Sequence, residues 1–427
     1  MRVLLTPIGS AGDLHPFLWL GQGLQARGHE VTVITSAYFS DLVNRAGLDL
    51  VTVGTAQDYD AVIENPNLWN PRKGFEVFAR QVAIPLLRPL YEIIADRHIP
   101  GQTVVVACGF AFGARIAQEK LAVSLATIHL QPSMIRSAYR PSIMAGLPNL
   151  AWMPRSCLQA LYAAVDVLVA DRMLAPDVNA FRAELGLPPI SRLLDQWWNS
   201  PQCVLGLFPG WFGMPQPDWP PQTRLTDFPL CDARDLEPMP PGVGEFLDAG
   251  EPPIVFTPGS AMQHGRRFFE TSVRVCQRLG LRGLLLTKHR EQLPESLPPG
   301  VRHFDYIPFS RVLPRAAAIV HHGGVGTLAQ ALAAGIPQLI VPFACDQPDN
   351  ADRLGRLGVA AMVPPSAYLP RLVAWRLRKL LQSPAVRSRC QALAQRMRRA
   401  NPLADTCCAV ENLIGPSPAA ASERASV

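Results

Sequence analysis

The run His321-His322-Gly323-Gly324-Val325-Gly326-Thr327 and, nineteen residues after Thr327, the pair Asp346-Gln347 are the residues best suited to chemistry. The apolar Ala316–Val320 precedes the run, and an alanine- and leucine-rich stretch closing at Gly335-Ile336-Pro337 follows it. This reads as a strand, a glycine turn and a helix N-terminus, which offers free N–H groups and a positive dipole end to an anion. Gly323, Gly324 and Gly326 let the backbone approach a phosphate closely, and the Thr327 hydroxyl adds a donor. His321, at the carboxyl end of its strand, is expected to donate to a pyrophosphate oxygen and steady a leaving charge. Asp346 and Gln347, after the apolar Leu339–Val341, offer oxygens and an amide suited to vicinal sugar hydroxyls. Asp346 is also placed to cap a helix through Asn350 to Gly358. Together these features point to a sugar nucleotide.

A second candidate lies in the loop Gly9–Pro16, at the carboxyl end of the first apolar run, where open α/β sheets place ligands. Asp13 is placed to accept a proton from an incoming hydroxyl, or to cap the helix that follows. His15 is its rival as base, with a solution pKa nearer neutral. Cys345, beside Asp346, is read as a packing residue. No Asp-x-Asp and no histidine–carboxylate spacing occurs in a suitable setting, so neither metal nor cofactor is expected.

These residues need rigid elements behind them. Met1–Ile8 reads as a strand, Leu14–Arg27 as a helix ended by Gly28, and Glu30–Thr35 and Leu50–Val53 as strands. Thr103–Ala107 and Ser124–Ile128 read as strands around a helix at Ala111–Leu121. The pattern restarts at Ile254–Thr257, Leu281–Thr287, Val301–Phe304, Ile319–His321 and Gln338–Val341. Strand–helix repetition predicts α/β architecture: two doubly wound, Rossmann-like domains with parallel sheets facing a cleft. We expect domains at 1–231 and 245–414, a proline-rich, acidic linker at 232–244, and a disordered tail at 415–427.

A length of 427 residues accommodates two domains, and 48 % hydrophobic content suits a folded protein. The first apolar stretch, Val3–Leu5, is too short for a secretory signal, and no span approaches the roughly 20 apolar residues that cross a bilayer. Ala160–Ala170 comes nearest, and Asp166 interrupts it. The nine scattered cysteines fit reduced thiols, so a cytoplasmic location is expected. The net charge is +6, yet Arg353 to Ala400 holds eleven Lys or Arg and no acid. That run reads as solvated helix faces or as a face for anionic lipid on the inner side of the cell membrane. Nucleic acid is not expected, because no aromatic residues interleave with the arginines.

The motif at 321–327 with Asp346-Gln347, joined to Gly9-Ser10-Ala11-Gly12-Asp13 and Pro16, resembles the family 1 glycosyltransferases of the GT-B fold. The likeness runs from Arg2 to about Leu413. Within the family it is nearest to bacterial rhamnosyltransferases of glycolipid synthesis, through Asn67–Pro71, Gly113–Ala117, Ser200–Gln202 and Leu207–Phe212. The resemblance implies metal-independent, inverting transfer. The amino-terminal domain would bind the acceptor, the carboxyl-terminal domain the donor, and Asp13 would take the position of the base. It further implies donor contacts from Ser260, Tyr306 (stacking on the base), His321, Gly323, Gly324, Gly326, Thr327, Asp346 and Gln347. Ala329 stands where plant members carry a ribose-gripping glutamate, which leans toward a dTDP-sugar. Gly324 and Val325 replace a plant Trp-Asn, so rules for UDP-glucose preference do not transfer. The expected reaction moves L-rhamnose from dTDP-L-rhamnose to a hydroxyl of a lipid-like acceptor such as a hydroxyalkanoyloxy-alkanoate. Glucosylation of a sterol, carotenoid or polyketide from UDP-glucose is the alternative. A non-catalytic, donor-binding subunit is the alternative of another class.

Overall fold

A computed structural model describes residues 1–68, 70, 73–232, 239–259, 262 and 265–414. Trp69, Pro71, Arg72, Ser260 and the expected tail at 415–427 lie outside the described residues. The chain divides into two compact units. The first comprises Met1–Ser142, Asn149–Pro229 and the stretch from Asn401; the second comprises Ile143–Pro148 and Leu230–Ala400.

The first unit holds a seven-stranded parallel sheet. Its strands are β1 (Arg2–Thr6), β2 (Glu30–Thr35), β3 (Asp49–Thr52), β4 (Thr103–Cys108), β5 (Ser124–His129), β6 (Cys203–Gly206) and β7 (Thr223–Leu225), in the order β3-β2-β1-β4-β5-β6-β7. The central strands are runs of β-branched and leucine residues buried on both faces, as helix-covered parallel strands require. The second unit repeats the plan with β8 (Ile254–Thr257), β9 (Gly283–Leu286), β10 (Val301–Phe304), β11 (Ala318–His321), β12 (Gln338–Ile340) and β13 (Ala360–Met362), in the order β10-β9-β8-β11-β12-β13. In each sheet the strand order reverses beside the first strand, between β1 and β4 and between β8 and β11. Loops leave such a switch point in opposite directions and open a crevice at the strands' carboxyl ends. Asp13 follows β1, and the glycine run follows β11.

Both Rossmann-like sheets match expectation; several boundaries do not. The first helix starts at Ala11, not Leu14, because Ser10 and Asp13 form a capping box that adds its first turn. The expected linker is partly structured: Val243–Asp248 is a helix whose Val243, Phe246 and Leu247 enter the second core with Val255 and Leu284. Strands β6, β7 and β13 are additional to those expected.

The expected domain at 245–414 ends earlier, because the helix Pro402–Glu411 packs on the helix Ala11–Ala26 of the first unit. A Cβ on Gly23 would meet Leu403 Cδ1 at 2.5 Å, so that helix pair depends on the glycine. Glu411 fixes the helix end, accepting from Arg27 Nε and Nη2 at 2.7 and 2.6 Å, with His29 Nε2 at 2.8 Å.

Candidate functional site

In the first unit, the backbone N–H and the hydroxyl of Ser10 both donate to Asp13 Oδ2, at 2.7 and 2.9 Å. Both Ser10 bonds fall on the same oxygen, and the backbone N–H of Asp13 itself also bears on the carboxylate. Gly9 makes this possible: its φ is +134°, and a Cβ there would lie 2.3 Å from Asp13 Oδ2. Desolvation raises the Asp13 pKa above its ordinary value, partly offset by the two Ser10 bonds. A carboxylate with increased proton affinity is a better base.

The Asp13 charge reaches Tyr59 and Cys108. Burial, with a smaller contribution from Asp13, pushes the Cys108 thiol up to about 12, so it remains a neutral wall at neutral pH. Aromatic rings stand close by in chain and space. Tyr59 stacks on Tyr38 with centroids 4.2 Å apart, and Phe110, two residues after Cys108, packs edge-on against Phe78 and Trp198. His129 touches Trp198, and burial holds it neutral with a pKa of about 4. His15 is half-buried on the first helix.

In the second unit, Gly323 has φ +98°, and a Cβ there would sit 2.9 Å from Ile340 Cγ2 and 3.2 Å from the Gln347 carbonyl oxygen. Only glycine fits. The helix Val325–Ala334 has Gly324 as N-cap and no side-chain cap, so its first N–H groups remain available to an anion. Gly326 is exposed with open space where a Cβ would stand, and Thr327 is half-buried beside it.

His321 is placed differently from the expectation for it. His321 is fully buried, its Nε2 lies 2.9 Å from Gln338 Oε1, and its Nδ1 accepts from the Gly323 N–H at 3.1 Å. Burial, then the neighbouring His322, pushes its pKa down to about 3. This neutral ring has both nitrogens engaged and shapes the turn, so the expected bond from His321 to pyrophosphate has no donor left to make it. His322 lies between the loops after β8 and β11: a Cβ on Gly259 would be 2.8 Å from its Cε1, and one on Gly324 would be 2.3 Å from its Nε2. His322 Nδ1 is buried without a hydrogen-bond partner, and burial lowers the ring's pKa to about 4. Sequence reasoning missed this residue.

Asp346 precedes the helix Gln347–Leu357 without capping it through its side chain. Instead its Oδ2 accepts from Asn350 Nδ2 at 2.6 Å, and the same Nδ2 donates to the Gly323 carbonyl at 2.9 Å. Asn350, fully buried and also missed, ties the glycine turn to the carboxylate. Its one sequence signal is the four-residue spacing from Asp346, one helical turn. Gln347 Oε1 accepts from the backbone N–H groups of Phe343 and Ala344 at 2.7 and 3.0 Å, leaving its amide nitrogen as the donor for a ligand. Tyr306 is half-buried in the loop after β10. Ala329 faces the core and is almost wholly buried.

Arg353 does not join a basic surface: its Nε donates to Asp349 Oδ2 at 2.6 Å, both side chains are buried, and Asp349 Oδ1 accepts from the Ile143 N–H at 3.1 Å. Among the described residues, no group of three His, Cys, Asp or Glu could hold a metal ion.

Residues 3–139 match the glycosyltransferase family 28 N-terminal domain, and 284–410 match the erythromycin biosynthesis protein CIII-like C-terminal domain. The chain is 31 % identical to the O-mycaminosyltylonolide 6-deoxyallosyltransferase of Streptomyces fradiae, over 96 % of this chain and 97 % of that protein. It shares its fold with the glycotransferase of kitacinnamycin (TM-score 0.72, 23 % identity, 97 % of this chain and 99 % of that one). It also shares it with the spinosyn rhamnosyltransferase SpnG complexed with thymidine diphosphate (TM-score 0.67, 19 % identity, 95 % and 98 %). The chain therefore belongs to the GT-B glycosyltransferases of family 1, of the family 28 and erythromycin-CIII-like type. It is a glycosyltransferase.

Proposed function

We propose that the protein transfers L-rhamnose from dTDP-L-rhamnose to a hydroxyl of a lipid-like acceptor such as a hydroxyalkanoyloxy-alkanoate, forming a monorhamnolipid, with inversion and without a metal. The carrying observation is the carboxylate of Asp13 in the loop after β1, pinned through Oδ2 by Ser10, with raised proton affinity. Asp13 takes the acceptor's proton as the acceptor oxygen bonds to the anomeric carbon and the bond from that carbon to the diphosphate oxygen breaks; His15 is the alternative base. The departing nucleoside diphosphate takes the electron pair. The first amides of the helix Val325–Ala334, the Thr327 hydroxyl and His322 meet its charge. Asp346 and the Gln347 amide hold the sugar hydroxyls, Ser260 touches the donor, and Tyr306 stacks on the base.

A thymidine diphosphate donor is supported by the ligand of the SpnG structure and a 6-deoxyhexose by the name of the Streptomyces fradiae relative. That relative's name also favours a second reading, in which the acceptor is a polyketide. The Tyr38–Tyr59 and Phe110–Trp198 ring pairs of the first unit would suit either apolar partner. Incubating the protein with dTDP- and UDP-sugars, with and without hydroxy-fatty-acid or macrolide acceptors, separates the readings by nucleotide release. Release from dTDP-L-rhamnose that requires the hydroxy fatty acid supports the first. Release only with the macrolide replaces it with the second.

A further inference from the structure

Between Arg140 and Asp171 the sequence has only two charged side chains, Arg155 and Asp166. Residues 155–184 form one helical run: Arg155–Val165, a wider turn at Asp166–Ala170, and Asp171–Glu184. Asp166, which interrupts the most apolar stretch of the chain, is turned inward and 1 % exposed. Both its oxygens accept from Arg136, at 2.8 and 2.7 Å, and Arg192 Nε lies 3.6 Å away. The neighbouring Val165, Val167, Leu168 and Val169 face outward, Val167 at 50 % and Leu168 at 55 % exposure. Here the charge is buried and the branched aliphatics are wet, the reverse of a solvent-facing helix.

The flanks have the chemistry of an interface with lipid. Trp152, just before the run, is 77 % exposed. The Arg155 guanidinium lies 4.5 Å over the exposed Tyr139 ring. Arg172 is exposed after the aliphatic turn, whereas Asp171 spends its oxygens on the Arg192 and Leu193 N–H groups. Arg155 and Leu168 are thirteen residues apart, roughly 20 Å along a helix. Tryptophan and arginine beside an uncharged aliphatic strip suit headgroups above and acyl chains below. A second copy suits it less, because two-fold pairing of the strip would bring arginines against arginines.

We propose that the surface formed by Trp152, Arg155, Val165, Val167, Leu168 and Val169 docks on an anionic lipid bilayer, its aliphatic side chains entering the interface. No helix among the described residues is long and apolar enough to cross a membrane, so the contact is peripheral. It differs from the basic surface expected at 353–399, whose exposed cations include Arg376 and Lys379 around the Trp375 ring. Apolar insertion resists salt, whereas a purely basic face does not.

Flotation of the full chain with phosphatidylcholine vesicles, with or without phosphatidylglycerol, at low and high salt tests the proposal. The expected result is co-flotation with the anionic vesicles that persists in high salt. Leu168→Ser with Val167→Ser should lower it about tenfold or more while leaving the circular dichroism melt unchanged, and Arg376→Glu with Lys379→Glu should retain it. Three results would overturn the proposal: no flotation on either vesicle; binding abolished by salt and by the Arg376 and Lys379 changes alone; or a concentration-dependent dimer in sedimentation that the Leu168 and Val167 changes dissolve. None of these outcomes depends on which sugar or acceptor the enzyme uses.

Discussion

At the residue scale, Asp13 and the two adjacent histidines carry the account. Asp13→Asn keeps the shape of the carboxylate and removes its basicity, so turnover should fall at least about 10²-fold with dTDP affinity by calorimetry unchanged. Ser10→Ala should move the acid limb of kcat/KM to higher pH, because the Ser10 bonds are what hold the Asp13 pKa down against desolvation. An unmoved limb would assign the titration to another group. His322→Ala should weaken dTDP binding. His321→Ala should instead cost stability, on the order of 1–3 kcal/mol, because it leaves Gln338 Oε1 and the Gly323 N–H unpaired. Equal effects of both histidines on dTDP affinity would contradict the division. The glycine turn was legible in the sequence; which histidine is locked into the core was not. Successive side chains at a strand end point to opposite sides, so a one-residue difference exchanges core for ligand.

At the scale of elements, the recurrence of strand and helix exposed both sheets, and β2, β8 and β10 came out residue for residue. What stayed hidden needs the third dimension. Asn350 matters because two segments 27 residues apart meet at its amide. The Pro402–Glu411 helix returns to the first unit over a glycine face that local periodicity does not single out. Asn350→Ala should reduce donor kcat/KM, and combining it with Asp346→Asn should cost less than the sum of the two single losses, since the residues share one hydrogen bond; strictly additive losses would separate them. Acid should act on the fold in two steps. The Glu411 pKa is lowered from 4.5 to about 2, chiefly by Arg27, so its stabilisation is complete above about 4.5 and is lost as pH falls toward 2. His129 in the first unit and His321 and His322 in the second, lowered to about 4, 3 and 4, leave the unfolded chain to take up protons first, so both units should weaken as pH falls below about 6.5. In thermal melts from pH 7 to 3, Glu411→Gln should flatten only the part below about 4.5.

For the whole molecule, two Rossmann-like units repeat one device: a switch-point loop holding a ligand group over the carboxyl ends of parallel strands. On the proposed function the first would supply a base and the second an anion cradle, which is the division of labour a displacement at an anomeric carbon requires. The central claim, a single-displacement transfer with Asp13 as base, is tested most directly by the anomeric configuration of the product. The full chain, with dTDP-L-rhamnose and a hydroxyalkanoyloxy-alkanoate in the presence of EDTA, should give a glycoside of inverted configuration by NMR, and Asp13→Asn should abolish its formation. A product of retained configuration, or undiminished formation by Asp13→Asn, would contradict it.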